Sequence, residues 1–152
     1  MRSSWKYWVR GRRDRKARRT RAQRAGIQLE CLEGRAVPAV TAQFVPASST
    51  LMILGDNLDN SIVVSRDAAG FLRVNNGGVV IRGGMPTVAN TGMIQVLGQG
   101  GKDVITLDTA NGALPRANLF GGDGDDVLTG GSSFDMLFGQ NGADVLTGGS
   151  GA

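Results

Sequence analysis

The sequence predicts an all-β fold, a parallel β-roll or β-helix-like stack of nonapeptide repeats preceded by a short β-rich segment. The chain has 24 glycines in 152 residues and only 5% aromatic residues, which suits thin stacked layers better than one large core. From about residue 50, short β-like segments alternate with turn-rich clusters such as GDNLDN and NNGG. A nine-residue repeat then fills the tail. Together these three observations favour a stack of short strands.

The repeat is clearest at residues 121–147, which read GGDGDDVLT, GGSSFDMLF and GQNGADVLT. Each unit has Gly at position 1, Asp at position 6 and Leu at position 8. Gly permits the positive φ of a tight turn, Asp supplies a hard oxygen ligand, and the triplet around Leu forms a short strand with one inward side chain. Two departures, Ser133 at position 4 and Gln140 at position 2, are expected to weaken the turns without removing a carboxylate.

This G-G-x-G-x-D-x-U-x pattern is typical of a calcium-binding parallel β-roll. Over residues 98–152 the sequence resembles the RTX family, the hemolysin-type calcium-binding repeats of secreted bacterial proteins. The resemblance implies Ca²⁺ as the bound ion and an extracellular or cell-envelope location.

Weaker copies of the repeat precede the tail. GQGGKDVIT at residues 98–106 keeps the position 6 carboxylate, Asp103, whereas GALPRANLF at residues 112–120 has Ala117 there. GDNLDNSIV at residues 55–63 places Asn60 at position 6. It is either a decayed repeat or an Asx-rich turn between two strands.

A nonapeptide is half a coil, so successive turns fall on alternate edges of the roll. Asp103, Asp126 and Asp144 are therefore expected on one edge, and Ala117 and Asp135 on the other. Neighbouring coils lie about 4.8 Å apart. At that spacing, two carboxylates repel by roughly 1 to 3.5 kcal/mol, so a cation should close the roll.

Two calcium sites are expected, one between Asp103 and Asp126 and one between Asp126 and Asp144. Asp135 is a poorer candidate because Ala117 precedes it on its edge. Asp123 and Asp125 are further candidates, for which solvated charge is the favoured interpretation. The main chain of the turns adds carbonyl oxygens, which suit Ca²⁺ better than Mg²⁺, at Gly101, Gly122, Gly124 and Gly142.

The opposite hypothesis is a flexible Gly/Asp-rich linker that binds nothing. In-frame aliphatic residues argue against it, because a linker would lack them. They are Ile105, Leu119, Leu128, Leu137 and Leu146.

The chain is divided in charge. Residues 1–35 hold twelve of the 17 basic residues and only three of the 13 acidic ones. This arm, expected to be disordered or helical, is interpreted as a targeting leader, and Leu32-Glu33-Gly34-Arg35 is similar to the Leu-Glu-x-Arg signature of basic sorting leaders. The alternative is a nucleic-acid-binding arm, which the acidic body disfavours, so no nucleic acid is expected.

The predicted organisation is a leader (residues 1–35), a linker (36–49), a β-rich segment (50–97) and the calcium-binding roll (98–152). The segment AVPAVTA, residues 36–42, is either a processing site or plain linker. Residues 36–55 carry no charge but are too polar to span a bilayer, so no transmembrane anchor is expected.

The absence of His and the single Cys exclude a zinc site and a His-dependent catalytic triad. We therefore expect a non-enzymatic, secreted or envelope-associated calcium-binding protein that folds on binding Ca²⁺. The alternatives are a fragment of a larger RTX adhesin, toxin or protease, and a nucleic-acid binder. Partners beyond calcium are cell-envelope components or a second copy stacked on the open end of the roll.

Overall fold

The structure is a computed structural model that describes residues 39–151. The predictions for the basic arm, the Leu-Glu-x-Arg motif and the nucleic-acid alternative lie outside these residues. Within residues 39–151 there are strands and two short 3-10 segments, so the all-β prediction is confirmed. No helix in this part of the chain has the length and apolarity needed to cross a membrane.

Eleven strands make up the described body. They are β1 (Thr41–Val45), β2 (Thr50–Leu54), β3 (Ser61–Arg66), β4 (Leu72–Val74), β5 (Ile81–Arg82), β6 (Met93–Gly100), β7 (Val104–Leu107), β8 (Ala117–Asp123), β9 (Val127–Thr129), β10 (Met136–Asn141) and β11 (Val145–Thr147).

The strands form two mixed sheets. One has the order β10-β8-β6-β2-β1-β5 and the other β11-β9-β7-β3-β4. β2, β6, β8 and β10 pair in parallel, as do β3, β7, β9 and β11. β1 and β4 run antiparallel to β2 and β3. Four pairs of successive strands therefore place one strand in each sheet, and we call these pairs coils: β2–β3, β6–β7, β8–β9 and β10–β11.

The stretch predicted to be a linker, residues 36–49, contains strand β1. Its side chains alternate, with Ala42 and Phe44 buried and Thr41 and Gln43 exposed, so one face covers the core. The turn to β2 passes through Pro46–Ser48. The predicted boundary at residues 97/98 is also not a break in the fold, because β6 runs across it.

The core is built from ladders of aliphatic side chains that repeat from coil to coil. At position 8, Ile62, Ile105 and Leu128 lie in register and are fully buried. The next member, Leu146, is 47% exposed. Burial thus decreases toward β10 and β11, because β1 and β4 cover the first coil whereas no described strand covers the fourth.

The turns between the sheets lie on two edges. The first edge carries the segments that lead from the six-stranded to the five-stranded sheet, which we define by positions 1 to 6 of the repeat and call turns, although the first three residues of the last three still belong to β6, β8 and β10: residues 55–60, 98–103, 121–126 and 139–144. The second edge carries the return connections, residues 67–92, 108–116 and 130–135. Turns of the first edge all have six residues, so they stack in register, and the variation in length falls on the second edge.

Candidate metal centre at the first edge

The position 6 residues of the first edge form one ladder of hydrogen bonds. The Asn60 N–H donates to Oδ1 of Asp103 at 2.8 Å, and the Asp103 N–H donates to Oδ1 of Asp126 at 2.8 Å. The Asp126 N–H then donates to Oδ1 of Asp144 at 3.0 Å. The structure therefore brings Asp103, Asp126 and Asp144 together, on the edge expected from the repeat spacing.

Among the residues that the structure describes, the second carboxylate oxygen has no hydrogen-bond partner at two of these positions. Oδ2 of Asp103 and Oδ2 of Asp126 are buried without a hydrogen bond, and the two residues are only 0% and 1% exposed. A buried carboxylate oxygen without a donor or cation costs free energy, because water has been removed and nothing replaces it. These two atoms are the strongest indication of a cation site.

Glycine at position 1 makes room for these oxygens. A Cβ on Gly98, Gly121 or Gly139 would overlap with Oδ2 of the Asp in the same turn. Sequence analysis missed this role and assigned the glycines only to turn flexibility. The signal was available, because position 1 is Gly in every copy of the repeat.

Burial and neighbouring charge weaken the acidity of the ladder. Burial raises the pKa of Asp103 to about 6, and the Asp126, Asp59 and Asp56 carboxylates act in the same direction, while the hydrogen bond from Asn60 opposes them. Burial likewise raises the pKa of Asp126, and Asp144 and Asp125 add to the effect. The ladder thus disfavours its own ionised form unless positive charge is supplied.

Three turns of the first edge share one backbone conformation, which we call the open turn. In it, positions 2 and 4 have positive φ, a region that favours glycine. Gln140, the departure noted at position 2, adopts a φ of 79°. The residues concerned are Gln99 and Gly101, Gly122 and Gly124, and Gln140 and Gly142.

The turns 55–60 and 130–135 differ, and we call them closed turns. Neither contains a residue with positive φ. In each, the N–H of position 2 donates to the position 6 side chain: Asp56 to Oδ1 of Asn60 at 2.8 Å, and Gly131 to Oδ2 of Asp135 at 2.7 Å. Position 4 is not glycine in either turn.

Asp135 lies on the second edge, apart from the ladder. Its Oδ1 accepts the N–H of Ala117 at 2.8 Å, so both oxygens have main-chain donors. Ser133 occupies position 4 of this turn, and the turn adopts the closed conformation. The sequence had suggested only a weakened turn of the same kind as the others. Asp135 acts as a turn-closing and coil-linking acceptor.

The first turn settles how residues 55–63 relate to the repeat. Asn60 continues the ladder, and Ile62 pairs with Ile105 in the buried position 8 row. A Cβ on Gly55 would overlap with Asn60, as at the other position 1 glycines. Residues 55–63 are therefore a copy of the repeat in the same frame, and their turn is closed by the side chain of Asn60. The decayed repeat and the Asx-rich turn each describe part of this segment.

Asp123 and Asp125 are exposed and link neighbouring coils. Oδ1 of Asp123 accepts the side-chain amide of Asn141 at 2.8 Å, and Oδ1 of Asp125 accepts the N–H of Ala143 at 2.9 Å. Their charges are therefore solvated, and they also tie the third coil to the fourth.

The site fits a cation that accepts main-chain ligands. Within residues 39–151, no group of three acidic side chains converges on one point, so carboxylates alone cannot complete a coordination shell. The glycines whose main-chain carbonyl groups the sequence predicted as further ligands, Gly101, Gly122, Gly124 and Gly142, all lie in the open turns at positions of positive φ. Ca²⁺ takes six to eight oxygens in a flexible arrangement, which matches such a mixed donor set.

The raised pKa values predict opposite pH dependences with and without calcium. In EDTA, Asp103 holds its proton in the folded chain between its unfolded pKa near 4 and its folded pKa of about 6. The protonated Asp103 therefore contributes its full stabilisation below pH 4, and this contribution is lost as the pH rises toward 6. In calcium, affinity should instead fall as the pH drops below 6, because the carboxylates must be ionised. Urea midpoints at pH 4, 5, 6 and 7 test both slopes, and a midpoint in EDTA that rises with pH would contradict the first.

Comparison with known protein families gives a match in the repeat region. Residues 120–152 match the family model of the RTX calcium-binding nonapeptide repeat, four copies. The match confirms the resemblance inferred from the sequence and identifies Ca²⁺ as the ion of these repeats. No curated protein and no solved structure matches the chain.

Proposed function

Because residues 120–152 carry RTX calcium-binding repeats, we propose that the chain is a non-enzymatic protein whose coils form a parallel β-roll that closes around Ca²⁺ at its first edge. The observation that carries this proposal is the pair of buried, unpartnered Oδ2 atoms of Asp103 and Asp126. A bound cation gives these atoms the positive charge that they lack.

We place one ion between the turns 98–103 and 121–126, and a second between 121–126 and 139–144. Asp126 belongs to the middle turn and serves both sites. Ca²⁺ supplies only charge neutralisation and cross-linking of adjacent turns. The chain supplies the rest: the position 1 glycines admit the carboxylates, and positive φ at positions 2 and 4 orients the peptide groups.

Calcium binding should be coupled to folding. Without the ion, buried carboxylates repel each other across neighbouring coils, and the fourth coil has little core to offset this, since Val145 and Leu146 are 57% and 47% exposed. With the ion, each turn is fastened to the next. Extracellular calcium modules have dissociation constants of about 10⁻⁴ to 10⁻³ M, so a roll with such an affinity would fold outside a cell rather than in its cytosol.

The basic segment of residues 1–35, interpreted as a targeting leader, supports a secreted or envelope-associated protein. The exposed Val145 and Leu146, beside the unpaired edges of β10 and β11, support self-association of two copies at this end. A role within a larger RTX adhesin, toxin or protease uses the same roll and remains the second candidate.

The direct test is circular dichroism of the full chain in EDTA and in increasing Ca²⁺, with Mg²⁺ at equal concentration as control. We expect a partial β signal in EDTA, from the coils whose core residues are fully buried, and a cooperative rise with Ca²⁺ at millimolar concentration that Mg²⁺ produces only weakly. An unchanged β signal between EDTA and 10 mM Ca²⁺ would reject coupled folding.

Sedimentation velocity tests self-association. In saturating Ca²⁺ we expect a monomer–dimer equilibrium that shifts to monomer when Val145 and Leu146 are both replaced by serine. A wild-type chain that is monomeric at all concentrations would rule out self-association.

A further inference from the structure

We infer that the main-chain conformation at positions 2 and 4, rather than the position 6 residue alone, decides whether a nonapeptide turn offers its side chain to a cation, and that the turn 55–60 is a calcium-independent end of the metal ladder. This inference rests on the proposed calcium sites. It adds a rule for which turns bind and which do not.

The first step is the direction of the position 2 N–H group. In the closed turns, this N–H donates to the position 6 side chain, at 2.8 Å from Asp56 to Asn60 and at 2.7 Å from Gly131 to Asp135. In the open turns 98–103 and 121–126, no N–H reaches the matching oxygen, which is buried without a partner. An internal donor thus occupies the oxygen that a cation would otherwise need.

The second step is the cause of the difference. Every open turn has positive φ at positions 2 and 4, and neither closed turn has a positive φ. Position 4 is glycine in all the open turns but Leu58 or Ser133 in the closed ones. Because positive φ at position 4 favours glycine, a larger residue there shifts the whole turn toward the closed form.

The third step concerns the amide of Asn60, which is nearly fully buried. Its Nδ2 donates to Oδ1 of Asp56 and to the carbonyl oxygen of Leu58, both at 2.9 Å. With Oδ1 already accepting the Asp56 N–H, the amide is satisfied within its own turn. Its main-chain N–H still fastens the turn to Asp103. The first turn therefore continues the ladder by hydrogen bonds and needs no ion.

The rule gives different expectations for four chains. The wild type should bind two Ca²⁺ ions per chain. The double variant Asp56→Gly with Asn60→Asp should also bind two, because it reproduces the pattern of the closed turn at Asp135, with glycine at position 2 and a larger residue at position 4. Opening the turn with Asp56→Gly, Leu58→Gly and Asn60→Asp together should raise the number to three, with the new ion between turns 55–60 and 98–103.

The reverse change should remove a site. Replacing residues 99–102 with the sequence DNLD, taken from residues 56–59, closes the second turn while keeping the Asp103 carboxylate, and should leave one ion, between Asp126 and Asp144. This variant keeps the main-chain N–H that bonds to Asp126.

Isothermal titration calorimetry of the full chains with CaCl₂ measures the number of Ca²⁺ ions bound per chain. Circular dichroism in saturating Ca²⁺ establishes that each variant has the wild-type β signal. A third ion in the double variant Asp56→Gly with Asn60→Asp, or only two in the folded triple variant, would overturn the rule. If the triple variant does not fold, the graft decides alone, and two ions in the folded graft would overturn the rule. A wild type that binds no Ca²⁺ would instead reject the proposed function itself, so the two failures are distinguishable.

Discussion

Replacing Asp126 with asparagine is expected to weaken calcium binding strongly at both proposed sites. Asp126 occupies the middle turn of the ladder, and its buried Oδ2 has no other partner. Asparagine keeps an oxygen that can accept the Asp103 N–H but removes the charge that both ions require. We expect calorimetry to show a drop in calcium affinity of at least tenfold at each site. Loss of a group that only supports a metal ligand already costs about tenfold or more.

The same variant should be at least as stable as the wild type in EDTA, because a buried charge has been removed. Asp135→Asn is the matched control. It should leave calcium stoichiometry unchanged and cost about 1 kcal/mol with or without the ion, because one of its two hydrogen bonds is lost. Equal loss of calcium in both variants would contradict the assignment of the sites to the first edge.

Replacing Gly121 with alanine is expected to destabilise the folded, calcium-bound chain by about 3 kcal/mol, the upper end of the range for overpacking a close-packed site. The added Cβ would overlap with Oδ2 of Asp126 and lie 2.8 Å from the carbonyl oxygen of Gly139. Neither neighbour can move freely, since one belongs to the proposed metal site and the other to the main chain of the next coil.

Urea unfolding in saturating Ca²⁺ measures this loss, with Gly148→Ala as the control. A Cβ on Gly148 meets no atom within 4 Å, and its φ is not positive, so alanine there should change the midpoint little. Similar urea midpoints for the two variants would mean that the glycine at position 1 is not packed against the carboxylate of Asp126.

Much of the repeat region follows from the sequence because each unit carries its own turn, ligand and core residue. The period of nine residues was enough to place Asp103, Asp126 and Asp144 on one edge and Asp135 on the other. Strands β2 and β3 were also recognisable, since their apolar runs are flanked by Asx- and Gly-rich turns.

Other features depend on contacts that no local pattern records. Strand β1 lies between two prolines in an uncharged segment, and only its pairing with β2 reveals it as part of the sheet. The direction of the position 2 N–H is a main-chain property, so Asn60 and Asp135 looked like weaker versions of the same site. Leu58 and Ser133 at position 4 were the available clue to the difference.

The spacing of the ladder bears on how such an array can change in length. Asp126 and Asp144 are separated by 18 residues, one full coil, whereas the preceding steps of the ladder span 23 and 43 residues because their extra segments leave at the second edge. A tandem duplication of one coil would keep every open turn in phase with its neighbours. Duplication of a single nonapeptide would move the following turns to the opposite edge and interrupt the row of carboxylates. Evolution of the array by slippage should therefore proceed in whole coils, with irregular insertions accepted only on the side away from the metal.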